Sequence, residues 1–258
     1  MRSSSPTVSS APTTEPTTTT KTKEPQLAAK PKVGNCYNTS KAQFRNQRDG
    51  SSPVACGRRH TAETFAVFSI SSFPTKRETD KVWRDCQPRF QRYVGDAATL
   101  SKLDLTVILP SLDQAAAGQD WVRCDAIQKA NYNTRVGAPR TGSLRGVLAS
   151  GVPRQYRGCV KRWPKVDQAV HFTPCNEPHQ AELIPESLFL GPPNAPFPGV
   201  MTTQRRSKQF CEGVFQTYVP ETLNYYYYYY PTSSSWKSGS HNSTCWALDT
   251  QGDGLPPL

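Results

Sequence analysis

From Glu63 to Ile70 the chain reads Glu-Thr-Phe-Ala-Val-Phe-Ser-Ile, an alternation that predicts a strand with one buried face, entered from a short extended stretch at Val54 to Cys56. Thr75-Lys-Arg-Glu78 then has the form of a capping box. Val82, Cys86, Phe90 and Tyr93 follow at helical spacing, so a helix is expected with these four on one face. Pro88 removes a backbone donor inside that helix and predicts a bend or two short segments. Leu103 to Leu109 and Trp121 to Ile127 read as strands around a loop bearing Pro110 and Gly118. The same order returns later: Cys211, Phe215 and Tyr218 on a helix, then strands at Leu223 to Tyr230 and Ser243 to Leu248. The expected fold is α+β, two tandem modules that each carry a small, mostly antiparallel sheet with one helix packed on it.

The repetition extends to individual residues. C-x-x-x-H-x-A-E occurs as Cys56 to Glu63 and again as Cys175 to Glu182, and C-x-x-x-F-Q-x-Y-V as Cys86 to Val94 and Cys211 to Val219. A cysteine precedes each first motif, Cys36 and Cys159, and one closes each unit, Cys124 and Cys245, at matching distances from Pro110 and Gly118 and from Pro231 and Gly239. In 258 residues this places one module at 34–150 and a second at 151–258. Gln128 to Gln155, rich in Gly, Arg, Thr and Ser, reads as the linker, with Val147-Leu148-Ala149 able to pack back on the first unit. Residues 1–33, mostly Ser, Thr, Pro, Lys and Ala, bury too little apolar surface to offset ordering and are expected to be a disordered tether.

The eight cysteines include no C-x-x-C pair, the usual form of zinc ligands, and point instead to disulfides. Each would stabilise a small module by ~3 kcal/mol in the chain-entropy account. Sequence allows three pairings per unit. Contact between neighbouring segments favours Cys36 with Cys56, Cys86 with Cys124, Cys159 with Cys175 and Cys211 with Cys245. Persistent disulfides require an oxidising compartment, which places the modules outside the cytoplasm. The chain has neither a long apolar run nor an h-region, so an export signal or membrane anchor is expected upstream of Met1, joined by the Ser/Thr/Pro-rich tether.

These landmarks resemble the septum-formation domain of actinobacterial envelope proteins, in two tandem copies. The resemblance rests on Gly34-Asn-Cys-Tyr37, Val54-Ala-Cys56, His60, Ala62-Glu63, Cys86 to Val94 and Thr141-Gly-Ser-Leu-Arg-Gly146 in the first unit. In the second it rests on Pro174-Cys-Asn-Glu-Pro-His179, Ala181-Glu182, Cys211 to Val219, Trp236, Gly239 and Cys245. Arg59 and Ala115 stand where the second unit has Pro178 and Trp236, and the second unit lacks the Gly-Ser-Leu segment. What the resemblance implies is an envelope protein for which the family supplies no catalytic residues.

The paired motif residues His60 and Glu63, and His179 and Glu182, are the candidates for chemistry. Zincin sites use two histidines one turn apart on a helix, whereas each motif here has one histidine leading into a strand. Positions i and i+3 of a strand face opposite sides, so neither pair is expected to converge without a turn or bulge. A structural role beside a disulfide is the expectation, with no catalytic residue, metal or cofactor. A metal-dependent hydrolase built on the two pairs is the alternative. The formal charge of +11 and pI near 9.4 favour an anionic partner. Disulfides and the lack of a reader motif set nucleic acid aside, and no small-molecule substrate is indicated. Anionic lipid, an anionic wall polymer or a division protein of the envelope remain as partners. Tyr225, Tyr226, Tyr227, Tyr228, Tyr229 and Tyr230, three to each side of a strand, offer one face to the core and one as a contact surface.

Overall fold

A computed structural model describes residues 28–71, 73–132, 134–163, 170–192, 194–218, 225–237, 239–249 and 254–255. Its N-terminal sheet is built from β1 (Cys36–Tyr37), β2 (Ala62–Ser69), β3 (Leu103–Ile108) and β4 (Trp121–Gln128), antiparallel in the order β1-β2-β4-β3. The C-terminal sheet contains β5 (Cys159–Val160), β6 (Phe172–Thr173), β7 (Ala181–Phe189), β8 (Tyr225–Tyr229) and β9 (Asn242–Leu248) in the order β6-β5-β7-β9-β8. One long helix lies on each: α2 (Lys76–Val94) on the first and α4 (Val200–Tyr218) on the second. Three helices of one or two turns complete the frame, α1 (Lys41–Asn46), α3 (Leu112–Ala116) and α5 (Ser233–Lys237). The fold is therefore α+β with two antiparallel sheets.

The two sheets are built alike because the same residues do the same work. Thr75 and Glu78 form the reciprocal capping box of α2, whose buried face is Val82, Cys86, Phe90 and Val94. In each half the helix is tied to the penultimate strand of the sheet order by a disulfide, Cys86 to Cys124 and Cys211 to Cys245. The entry strand is tied to the following turn by Cys36 to Cys56 and Cys159 to Cys175. Register slips once in each central pairing, between Thr64 and Ala66 of β2 and between Leu183 and Ser187 of β7. The slip in β7 contains Pro185, which has no N–H to give a ladder.

Three sequence expectations change. The helix is not divided at Pro88: α2 runs unbroken for 19 residues, because Pro88 lies on the exposed side where water can satisfy the carbonyl it strands. The segment 128–155 is not a free linker. Leu144 and Leu148 are fully buried in the first core, and Gly95, at φ 120°, makes room for them: a Cβ there would stand 2.4 Å from the Leu148 carbonyl carbon. Tyr132 crosses to the second half, donating its N–H to the Val170 carbonyl at 2.8 Å and stacking on Tyr229 at 4.9 Å between ring centroids. The predicted tether at 1–33 lies outside the described residues up to 27; its last part packs on the first half, where the Ala28 carbonyl accepts from the Gln114 and Gln119 side chains and Lys30 pairs with Asp120.

Candidate functional site

His60 and Glu63 do converge. His60 sits in the turn before β2, outside the strand alternation, so its ring swings back toward the carboxylate; one nitrogen of His60, one oxygen of Glu63 and the Cys36 sulfur lie within 4.8 Å of one another. Both ring nitrogens are engaged. Nδ1–H donates to the Arg58 carbonyl at 2.8 Å, and Nε2 accepts from the Arg140 guanidinium at 3.0 Å, which assigns the neutral ring with its proton on Nδ1. Arg140 is placed by a pair of backbone bonds, His60 N–H to Arg140 O and Arg140 N–H to His60 O, and its guanidinium reaches 3.8 Å from Glu63. Glu63, buried, accepts from the Tyr93 hydroxyl at 2.7 Å, the Leu144 N–H at 2.6 Å and the Ser143 hydroxyl. Its carboxylate anchors the whole 140–148 segment onto the first sheet. Against the Glu63 charge, and with burial, the Tyr93 hydroxyl is held above its ordinary value.

The second motif uses the same atoms differently. His179 Nδ1–H donates to the Glu177 carbonyl at 2.8 Å, as His60 does to Arg58, but Nε2 faces Glu182 Oε2 at 3.1 Å. Both partners accept, an arrangement that favours a proton on each ring nitrogen. Burial opposes that charge, but the hydrogen bonds to Glu182 and Glu177 and the Glu182 charge outweigh it and raise the His179 pKa. Glu182 also takes Arg157 Nη1 at 3.1 Å. The chain that closes this half is Gly254–Leu255, where the Leu255 N–H donates to the His179 carbonyl at 2.7 Å. Leu255 brings no cation to the ring.

These clusters are poor metal sites on donor chemistry. Cys36, His60 and Glu63 form one group within reach of a common point, and Cys159, Cys175 and Glu182 another. All three sulfurs are in disulfides rather than thiolates, the His60 lone pair is spent on a guanidinium, and each carboxylate already faces an arginine. The geometry gives the hydrolase alternative no free ligand set, base or nucleophile.

A third cluster was missed. On the other face of the N-terminal sheet, Arg123 is 1% exposed and bridges Asp49 at 2.7 Å and Asp125 at 2.8 Å, with its guanidinium 3.6 Å from the Tyr37 ring centroid. Desolvation resists the Asp49 charge but Arg123 holds its pKa below the ordinary value, whereas desolvation raises that of Asp125, which also accepts from the Thr64 hydroxyl at 2.7 Å. The signal was present: Trp121-Val-Arg-Cys-Asp-Ala-Ile127 puts two charges on alternate positions of an otherwise apolar strand, and α1 with the loop to Asp49 covers that face.

The tyrosine run divides between faces. Tyr226 and Tyr228 pack with Phe215 under α4, while Tyr227 and Tyr229 join Trp163, Trp246 and Tyr132 on the opposite side. Burial pushes the Tyr229 hydroxyl up to about 12. Exposure of the run is concentrated at Tyr225, 52%, and Tyr227, 39%; Tyr230 is half-buried beyond the strand end.

The family described as septum formation matches residues 33–245, in one stretch that spans both sheets, and the chain belongs to it. No curated protein and no solved structure matches the chain.

Proposed function

We propose that this member of the septum-formation family is a non-catalytic, extracytoplasmic, membrane-associated protein of the dividing cell envelope, made of two duplicated modules at 34–150 and 151–258. Its work is to bind an anionic envelope surface. The observation that carries the reading is that the repeated His/Glu motif spends its polar groups inside the fold, so what faces outward is charge rather than chemistry. The four disulfides support a location beyond the cytoplasm.

The cationic surface is best organised around the first motif. Arg58, Arg59 and Arg145 are exposed there, and the loops bearing them are joined by Gly142 N–H donating to the Cys56 carbonyl at 2.8 Å. The equivalent positions after Cys175 are Glu177 and Pro178, so an anion meets this attraction at the first motif and not at its repeat. Cosedimentation with anionic lipid vesicles, zwitterionic vesicles and purified wall polymer tests this and separates lipid from polymer. Arg58→Glu with Arg59→Glu is expected to weaken binding to the favoured surface by about tenfold or more, at ~1 kcal/mol per charge near such a surface, with added salt doing the same to the parent chain. Retention no better than that of reduced, unfolded chain, or indifference to the double reversal, would reject the reading.

A further inference from the structure

The two sheets end in equivalent edge strands that are finished in opposite ways. Val107 of β3 pairs with Cys124 and Tyr228 of β8 with Cys245, so Leu105, Val107 and Leu109 correspond to Tyr226, Tyr228 and Tyr230. In the first half these residues turn their backbone groups away from the sheet, and each of the three has at least one of those groups met. The Leu105 N–H donates to the Asp104 carboxylate at 2.8 Å, the Val107 carbonyl accepts from the Gln47 side chain at 3.4 Å, and Leu109 exchanges backbone bonds with Gln47 and Asp49. Gln47 holds the left-handed conformation, φ 53°, that turns the chain after α1 onto this edge. Asp104 adds charge, faced by Lys129 and Arg135. Such devices keep an edge from pairing with another chain.

On β8 none of them is present among the described residues. The strand is five tyrosines, followed by a sixth, without charge, proline or bulge, and no backbone or side-chain group meets the outward positions Tyr226, Tyr228 and Tyr230. We propose that this edge pairs with the same edge of a second copy of the chain, antiparallel and about a two-fold axis at Tyr228, joining two C-terminal sheets. The run itself argues for a second copy over an unrelated peptide: antiparallel pairing about Tyr228 sets Tyr226 opposite Tyr230, Tyr227 opposite Tyr229 and Tyr228 opposite its own copy, and such aromatic cross-strand pairs stabilise a ladder. The surface is short, so the association is weak in free solution and strengthened where chains are concentrated on a common support.

Sedimentation velocity over a wide concentration series, joined to amide hydrogen exchange of the oxidised chain, tests it. The expected result is reversible dimerisation in which the Tyr226, Tyr228 and Tyr230 amides gain protection as concentration rises, while Tyr225, Tyr227 and Tyr229, already turned toward β9, do not change. Tyr225→Lys with Tyr227→Lys, on the exposed side of the strand, brings like charges together across the axis and is expected to weaken dimerisation by about tenfold or more. Circular dichroism and an intact disulfide map establish that this variant folds. If it fails to fold, the exchange pattern of the parent chain decides. A chain monomeric throughout the series, a dimer indifferent to the two lysines, or protection gained elsewhere than Tyr226, Tyr228 and Tyr230 would overturn the proposal.

Discussion

His60 and His179 occupy the same place in two copies of one motif, donate the same Nδ1 proton to the carbonyl two residues back, and differ in what meets Nε2, a guanidinium at the first and a carboxylate at the second. The difference comes from the segment that closes each half. In the first half that segment brings Arg140, whose guanidinium claims the ring's second nitrogen; in the second it brings Leu255, and the ring turns to Glu182 instead. The same contrast recurs across the sheets. Where Arg123 and Asp125 form a buried ion cluster, the equivalent residues are Thr244 and Trp246, packed among aromatic rings. A shared backbone frame thus carries an ionic first half and an aromatic second half. Repeated residues fix the frame, and the polar character of each half is set by whatever the unrepeated segments lay against it.

The largest test of that contrast lies at Arg123. Arg123→Leu leaves Asp49 and Asp125 buried without their cation and is expected to cost ~3–5 kcal/mol in denaturant unfolding. Thr244→Val at the equivalent position is expected to cost ~1 kcal/mol or less, because it removes a neutral hydroxyl beside Tyr132 rather than the cation of a buried ion cluster. Equal effects would erase the distinction between the halves.

Disulfide removal should rank by loop length rather than by half. Replacing Cys86 and Cys124, which close a separation of 38, is expected to cost ~4 kcal/mol, and replacing Cys159 and Cys175, a separation of 16, ~3 kcal/mol. Calorimetry of the two double alanine variants reads the order.

A smaller effect converts one motif into the other. Arg140→Leu supplies the first half with the residue type that closes the second, at a cost of ~1–3 kcal/mol for the lost charged hydrogen bond. With the guanidinium gone, Nε2 of His60 loses the donor that fixes its tautomer, and the ring's NMR shifts are expected to change from those of the parent chain. Unchanged ring shifts would show that the closing segment does not govern the ring.

The smallest effect is in pH. The His179 pKa is raised above its ordinary 6.5, so the stability contributed by its pair with Glu182 is fully present below that value and fades as pH rises through the raised one. Thermal unfolding from mildly acidic to mildly alkaline pH should show this decline, and His179→Gln should flatten it. A decline of unchanged size in His179→Gln would assign it to another group.

Much of the frame was legible in the chain. The capping box at Thr75 and Glu78, the buried stripe of Val82, Cys86 and Phe90, and the strands around Cys124 and Cys245 depend on spacing within a few residues, which is what sequence displays. Pro88 misled because its effect depends on which side of the helix meets water. The convergence of His60 with Glu63 was hidden because His60 lies outside the strand, which begins at Ala62, so the opposite-face rule for positions i and i+3 does not govern it. Arg140 could not be foreseen at His60 at all: 80 residues separate them. Tyr132, in a stretch that reads as linker, was hidden for the same reason.

By itself the sequence determined two similar sets of landmarks, their antiparallel sheets with one long helix each, the division of eight cysteines into two sets of four and the basic charge, since periodicity, cysteine order and composition are local or additive properties. Only the tertiary structure decided which cysteines pair, which partner each motif histidine meets, where a buried arginine is neutralised and which sheet edge is left open among the described residues. Those depend on chain segments distant in sequence arriving at one point, where burial from water makes the sign of a single neighbour count.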